Sequence, residues 1–114
     1  MSTDPEADSG APTAVEWHCV GAVDDFEVGS GSELLVAGKV IAIFRTSDSF
    51  KATDGMCAHQ GGPLSQGFLD GDCVTCPWHG WQYRVSDGCN LLTGKKMLDT
   101  YPVETRDGQV WILV

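Results

Sequence analysis

The alternation of apolar and polar residues predicts a chain of short β-strands. After Val15, glycine recurs so often that few windows could hold an amphipathic helix, whereas short apolar runs bounded by turn residues recur throughout. The expected strands are Val15 to Val20, Glu33 to Val36, Lys39 to Arg45, Phe50 to Thr53, Tyr101 to Arg106 and Gln109 to Val114. The pattern therefore predicts an all-β domain.

Two of these strands carry sharper expectations. The run Val40-Ile41-Ala42-Ile43-Phe44 has no polar residue, which is typical of a central strand that is buried on both faces. Ala37-Gly38 predicts a tight hairpin before it, and Asp107-Gly108 is a strong signal for a type I′ hairpin near the C-terminus. One face of the last strand should then carry Val110, Ile112 and Val114.

The chain divides into a tail and one domain. Residues 1–13 have no apolar periodicity and are predicted to be a flexible acidic tail. Residues 14–114 have the length of a single domain. Within this domain, the glycine-rich stretch of about 55–80 should consist of loops more than strands.

Composition narrows the class of protein. Sixteen acidic and seven basic residues give a formal charge of −9, which argues against nucleic-acid binding and against an anionic membrane surface, and favours a basic partner protein. The chain has no apolar run of membrane-spanning length and no basic leader segment, so we expect a cytoplasmic, unanchored protein. Five cysteines, an odd number, then favour metal ligation over disulfides.

Two short segments supply candidate metal ligands. They are Cys57-Ala58-His59 and Cys76-Pro77-Trp78-His79-Gly80, with sixteen residues between His59 and Cys76. Residues two apart in an extended segment point to the same side, and Pro77 fits a turn that would bring Cys76 and His79 together. Two thiols and two imidazoles suit either a structural zinc ion or an iron–sulfur cluster with mixed ligands.

The segments C-x-H and C-P-x-H-G resemble the two loops of the Rieske iron–sulfur proteins. Flanking residues also resemble this family, namely Gly61, Pro63, Leu64, Trp81, Tyr83 and the closing Tyr101-Pro102-Val103. The resemblance implies a Rieske-like fold of antiparallel sheets with a small subdomain of two cluster-binding loops, at about 55–68 and 75–83. It also implies a [2Fe–2S] cluster, with Cys57 and Cys76 on the inner iron and His59 and His79 on the outer iron. Zinc proteins usually lack this flanking pattern.

The resemblance also points to one branch of the family. Respiratory and photosynthetic members carry an extra cysteine in each loop, which form a disulfide, and the matching positions here are Gly62 and Trp78. Trp81 stands where those members have a serine, whereas Tyr83 matches their tyrosine, and the resemblance implies that its hydroxyl reaches a ligand thiolate. Fewer hydrogen bonds to sulfur stabilise the reduced cluster less, so we expect a reduction potential near the low end of the Rieske range, about −150 mV.

Four protein ligands would leave neither iron open to substrate, which favours an electron carrier over an enzyme. Only His18 remains as a further histidine, too few for the mononuclear iron site of the oxygenase relatives. The resemblance therefore implies a soluble Rieske-type ferredoxin that passes electrons from a flavoprotein reductase to a terminal oxygenase. An alternative is the small subunit of a cytosolic NADH-dependent nitrite reductase, with the large subunit as its partner. A structural zinc or interaction module is a third possibility.

Smaller expectations concern residues beside the ligands. Trp78 and Pro63 could form an apolar contact at the tip, with Asp70 and Asp72 as steering charges for a basic partner. We expect His18 to be an ordinary strand residue, and Cys19 and Cys73 to be buried or half-buried. Compared with the family, Cys89-Asn90-Leu91-Leu92 lengthens the loop before Thr93-Gly94.

Overall fold

The computed structural model describes residues 15–47, 49–57, 61–78 and 80–114. The predicted tail and the two candidate histidine ligands, His59 and His79, lie outside these residues. The described residues form ten β-strands, two single 3-10 turns (Val23–Asp25 and Leu64–Gln66) and no α-helix. The strands are β1 Trp17–Ala22, β2 Ser30–Val36, β3 Lys39–Arg45, β4 Phe50–Asp54, β5 Phe68–Asp70, β6 Cys73–Thr75, β7 Gln82–Arg84, β8 Thr100–Tyr101, β9 Val103–Arg106 and β10 Gln109–Leu113.

The strands form three antiparallel sheets, which confirms the all-β fold predicted from the sequence. A four-stranded sheet has the order β2-β3-β4-β8, and a three-stranded sheet has the order β9-β10-β1. A second three-stranded sheet, β5-β6-β7, is a meander that carries the second candidate ligand loop between β6 and β7. None of the described segments forms a helix long and apolar enough to cross a membrane.

Strand β3 lies at the centre of the molecule, and the prediction that it is buried on both faces is confirmed. Ile41, Ala42, Ile43 and Phe44 are all at most 1 % exposed. Successive side chains point to opposite faces of a strand. Ile41 and Ile43 therefore pack on the β9-β10-β1 side with Val110 and Ile112, whereas Ala42 and Phe44 pack on the side that holds Cys57 and Cys76.

Both predicted hairpins are confirmed. Ala37 and Gly38 have φ values of 51° and 79°, and Asp107 and Gly108 have φ values of 52° and 77°. Positive φ at both central residues is the property of a type I′ turn, whose twist matches that of the flanking strands. In the last strand Val110 and Ile112 are fully buried, as their alternation predicts.

The single strand predicted from Tyr101 to Arg106 is in fact two strands in different sheets. Tyr101 pairs with Ala52 of β4, whereas Val103 pairs with Ile112 of β10. Pro102 lies between them, and proline has no N–H to donate to a sheet ladder. The chain therefore crosses from one sheet to the next at this residue.

The third sheet was not predicted from the sequence. Residues 55–80 were expected to consist mainly of loops, but they contain the strands β5 and β6. The three strands β5, β6 and β7 have three residues each, with glycine, proline or cysteine close by. Strands this short are set by pairing with their neighbours, since three residues are too few for an alternation to be recognised.

One prediction about the other cysteines is wrong. Cys19 is exposed, with its Sγ 3.5 Å from Oε1 of Gln109, because it lies on the solvent face of β1 while Val20 packs inward. Cys73 is half-buried as predicted. His18 is a half-buried strand residue opposite Ile112, also as predicted.

Candidate metal centre

The two candidate ligand loops are closed by the same pair of backbone hydrogen bonds. In the first, the Cys57 N–H donates to the Gly62 carbonyl at 2.8 Å, and the Gly61 N–H donates back to the Cys57 carbonyl at 2.8 Å. In the second, the Cys76 N–H donates to the Trp81 carbonyl at 2.7 Å, and the Gly80 N–H donates back to the Cys76 carbonyl at 3.2 Å. Each cysteine is thus fixed at the start of a four-residue loop.

Glycine makes this closure possible in both loops. Gly61 has a φ of 73° and Gly80 a φ of 74°, a left-handed conformation that residues with a Cβ rarely adopt. The loops run to these glycines from Cys57 and Cys76, and the predicted ligands His59 and His79 lie between. The sequence signal for this geometry is a glycine four residues after each cysteine.

The loops bring the two cysteines together in the core. Cys57 is 5 % exposed and Cys76 is 2 % exposed, and both belong to the apolar cluster that includes Phe44, Val74 and Leu98. Burial raises the pKa of the Cys76 thiol, the Trp78 N–H lowers it, and the hydrogen-bonded Cys57 side chain raises it again. Two thiols side by side in an apolar core are costly to ionise unless a cation binds them.

Two hydrogen-bond donors reach these sulfur atoms. The hydroxyl of Tyr83, which is fully buried, lies 3.1 Å from Sγ of Cys57. The backbone N–H of Trp78 donates to Sγ of Cys76 at 3.4 Å. When the thiols are deprotonated, both donors stabilise negative charge on sulfur. The match of Tyr83 to the family pattern predicted the first contact, whereas the second depends on the backbone and left no sequence signal.

Gly62 is required because the two loops pack closely here. A Cβ at this position would lie 2.8 Å from Sγ of Cys76 and 3.0 Å from Cγ of Trp78. Both distances are shorter than a side chain can accept without a shift of its neighbours. Trp78 itself is 49 % exposed, so one part of its indole packs between the loops while another part faces solvent.

Asp54 fixes the chain just before the first loop. Its carboxylate accepts hydrogen bonds from the Tyr101 hydroxyl at 2.7 Å and from the Asp99 N–H at 2.8 Å. Burial, followed by the hydrogen bond and the charge of Asp54, raises the pKa of Tyr101 far above its ordinary value. The start of the loop is thereby joined to β8.

The suggested steering charges lie away from the loops. Asp70 and Asp72 flank the turn between β5 and β6, whereas the Cys76 loop leaves the other end of β6. Consecutive connections in an antiparallel meander lie at opposite ends of the shared strand, and three residues span ~10 Å. Asp72 is engaged by Ser86, whose Oγ donates to its Oδ2 at 2.6 Å.

The donor set fits an iron–sulfur cluster. It offers two buried, adjacent thiols from loops of equal closure and hydrogen-bond donors to both sulfur atoms. The described residues contain all five cysteines, and none of them forms a disulfide.

Comparison with known proteins agrees with this geometry. The family model described as "Rieske [2Fe-2S] domain" matches residues 16–102. The ferredoxin subunit of anthranilate 1,2-dioxygenase from Burkholderia cepacia is 33% identical over 105 residues, which cover 90% of this chain and 95% of that protein. The oxygenase component of 3-ketosteroid-9-alpha-monooxygenase from Mycobacterium tuberculosis is 38% identical over 102 residues, but the match covers 81% of this chain and only 26% of that protein.

Solved structures give the same fold. The complex of reduced oxygenase and oxidised ferredoxin in carbazole 1,9a-dioxygenase contains a chain that matches with a TM-score of 0.78 and 32% identity, over 85% of this chain and 92% of that one. A protein of Mycobacterium tuberculosis assigned as the small subunit of an NADH-dependent nitrite reductase matches with a TM-score of 0.82 over 90% of this chain and 97% of that one. Its identity is 23%, so this second likeness is one of fold.

Proposed function

The chain belongs to the Rieske [2Fe–2S] domain family, and from this premise we propose that it is a one-electron carrier between other proteins, not an enzyme itself. Its cofactor is the [2Fe–2S] cluster of the family. The single observation that carries the proposal is the pair of buried, adjacent thiols, Cys57 and Cys76, that two equally closed loops bring together beside Tyr83. The family match spans most of residues 14–114, which supports treating them as one domain.

The proposed ligands are Cys57 and Cys76 on the inner iron, and His59 and His79 on the outer iron. Burial of the two cysteines in the core supports their assignment to the inner iron. The positions of the histidines within the loops support the outer assignment, because the loop ends at Gly61 and Gly80 are exposed. When bound, the cluster supplies a reversible one-electron site.

The residues of this chain set the conditions for electron transfer. The Tyr83 hydroxyl and the Trp78 N–H stabilise the charge on the cysteine sulfurs, and the apolar cluster around them excludes water. Four protein ligands leave no open position on either iron, so substrate has no place to bind. We therefore propose a carrier role without catalysis.

The proposed donor is a flavoprotein reductase and the proposed acceptor a terminal oxygenase. Similarity to ferredoxin components supports this role, since one solved relative is seen in a complex with its oxygenase. The alternative, a nitrite reductase small subunit whose partner is the large subunit, has the fold likeness in its favour. Free thiols throughout the chain support a reducing compartment, the cytoplasm.

The test begins with anaerobic purification of the full chain. We expect two irons and two sulfides per chain, the absorption of a [2Fe–2S] cluster, and a paramagnetic signal after reduction by one electron. A colourless protein that contains zinc would contradict the proposal and favour a structural site.

The second step tests the carrier role. The reduced protein is mixed with purified terminal oxygenases, beginning with the oxygenase of carbazole 1,9a-dioxygenase and then oxygenases from the source organism, and reoxidation is followed by absorption. Reoxidation by an oxygenase, with product formed in proportion, supports the proposal. Reoxidation only by a nitrite reductase large subunit would favour the alternative.

A further inference from the structure

A rigid loop beside the candidate centre displays two leucines to solvent. Residues 90–95, called here the leucine arm, are closed by the Asn90 N–H to the Lys95 carbonyl and by the Gly94 N–H to the Asn90 carbonyl, both at 2.8 Å. The Asn90 side chain, in a residue that is only 4 % exposed, accepts hydrogen bonds from the N–H groups of Leu92 and Thr93 at 2.9 and 3.1 Å. This loop is well ordered internally.

The leucine arm is attached to the second candidate ligand loop. The Leu91 N–H donates to the carbonyl of Gln82 at 3.0 Å, directly after that loop ends. Between the two lies a mainly apolar cleft of about 340 Å³, lined by Gly80, Trp81, Gln82, Asn90, Leu92 and Thr93. The arm thus forms one wall of a cleft whose other wall is the loop of the proposed ligand His79.

The arm exposes apolar surface that folding does not require. Leu92 is 93 % exposed and Leu91 is 44 % exposed. The solvent-exposed part of a leucine side chain gains nothing from the hydrophobic effect in the isolated protein, and several exposed apolar residues grouped together are typical of an interaction surface. Of the large apolar residues that the structure describes as exposed, five lie between residues 55 and 98: Met56, Phe68, Trp78, Leu91 and Leu92.

Charge indicates the chemistry of the partner. The chain carries a formal charge of −9, yet residues 55–98 contain three acidic and three basic residues. The exposed Lys95 and Lys96 follow Leu92 after Thr93 and Gly94, and residues 88–98 contain no acidic residue. Of the three acidic residues, Asp70 and Asp72 flank the distant turn, and Asp87 forms a salt bridge with Arg84 at 2.9 Å.

We propose that the leucine arm binds the electron-accepting oxygenase. The oxygenase would present a surface on which an apolar hollow is bordered by carboxylates. Leu92 and Leu91 fill the hollow, and Lys95 and Lys96 face the carboxylates. The acidic remainder of the chain repels such a partner, which orients the neutral end toward it. The proposed partner surface is therefore acidic, in contrast to the basic partner expected from the net charge. This inference rests on the proposed carrier function.

The experiment measures the second-order rate constant for electron transfer from the reduced, cluster-loaded protein to the oxygenase that reoxidises the wild type. Leu92→Ser should lower it about tenfold, equivalent to ~1.4 kcal/mol and near the low end of the effect of burying one leucine. The reduction potential and the rate of reduction by the reductase should not change. Lys95→Glu should lower the rate about fivefold at low salt and little at high salt.

Val28→Ser is the matched control. Val28 is 59 % exposed, and the N–H of the neighbouring Gly29 donates to the Arg45 carbonyl at one end of β3. The first ligand loop is attached at the other end of β3, where the Gly55 N–H donates to the Val40 carbonyl. Val28 therefore lies away from the ligand loops. Its rate constant should equal that of the wild type.

Three outcomes would overturn the inference while leaving the carrier function intact. They are equal rate constants for Leu92→Ser and Val28→Ser, a slower reductase step in place of a slower oxygenase step, and a wild-type dimer in sedimentation that Leu92→Ser abolishes. Failure of the wild type to reduce any oxygenase would instead contradict the carrier function itself.

Discussion

The two sides of β3 serve different purposes, and their comparison explains how this small chain combines stability with a reactive centre. Toward β9-β10-β1, Ile41 and Ile43 pack in two apolar clusters with Ile112 and Val110. Toward the loops, Ala42 and Phe44 pack against an apolar cluster that includes two thiols and a buried tyrosine. The first side supplies stability, and the second holds polar groups whose burial is favourable only when they are bound or hydrogen-bonded.

Residues 55–98, which contain both ligand loops, differ from the rest of the chain in charge and in exposure. Outside residues 55–98 the chain carries thirteen acidic and four basic residues, whereas the charges within this range balance. Of the large apolar residues that the structure describes as exposed, most lie within the same range. This difference agrees with the proposed docking role of residues 55–98, so variants inside and outside this range should change different properties.

The largest expected effect is on the thiol side. Cys76→Ser should abolish cluster binding, because serine is a harder ligand and Cys76 is one of only two buried thiols at the site. Iron content and visible absorption measure this. Cys19→Ser, at an exposed thiol, is the control and should retain full iron. Equal iron in both variants would show that Cys76 is not a ligand.

On the opposite side, Ile41→Ala should affect stability alone. Ile41 is fully buried with Val36, Ala52 and Ile112, so its truncation should lower the free energy of unfolding by ~2–5 kcal/mol. Urea denaturation measures this effect, and the reduction potential of the folded variant should equal that of the wild type. A shifted potential would show that the two sides are coupled through β3.

The reduction potential of the wild type should be low, about −150 mV. Trp81 offers no hydroxyl at the position where the respiratory and photosynthetic members have a serine. Gly62 and Trp78 stand where those members carry a disulfide. The missing hydroxyl removes a hydrogen bond to sulfur and leaves the reduced cluster less stabilised. Redox titration followed by absorption checks the value, and a clearly positive potential would contradict this explanation.

A smaller change in reduction potential should distinguish the variants Tyr83→Phe and Tyr101→Phe. Tyr83→Phe removes the hydroxyl 3.1 Å from Sγ of Cys57 and should lower the potential further by about 40 mV, the one-electron equivalent of ~1 kcal/mol. Tyr101→Phe removes a hydroxyl that bonds to Asp54 and should leave the potential unchanged. The same shift in both variants would indicate a general effect of folding.

The smallest expected effect is a dependence of stability on alkaline pH. The pKa of Tyr101 is raised in the folded state, mainly by burial and then by Asp54, whereas in the unfolded state tyrosine loses its proton near pH 10. Its contribution is therefore complete below about pH 10 and is lost as the pH rises further. Thermal unfolding of the wild type should show a steeper alkaline decline than that of Tyr101→Phe. Equal slopes would contradict this assignment.

Much of the fold could be predicted from local pattern. Type I′ turns at Ala37-Gly38 and Asp107-Gly108 require particular residues, and a strand buried on both faces requires an unbroken apolar run, so both leave clear signals. The third sheet left none, because its strands have three residues each. The crossing of the chain at Pro102 was missed although proline itself was the signal.

The loop closure shows where sequence alone stops. The same closure, with glycine at the fifth position, recurs from Arg84 to Cys89 and from Asn90 to Lys95, where Gly88 and Gly94 have φ values of 75° and 74°. A glycine at the fifth position therefore accompanies all four loops. It does not distinguish a ligand loop from the leucine arm, since that depends on the residues between.

The sequence by itself determined the candidate ligands and the resemblance to a family, because side-chain chemistry and spacing are written in local order. Only the tertiary structure decided that Cys57 and Cys76 meet in the core, that Gly62 must lack a side chain, and that Leu92 lies beside the second loop. Each of these facts depends on contacts between segments distant along the chain, and such contacts arise from packing, which no local pattern encodes.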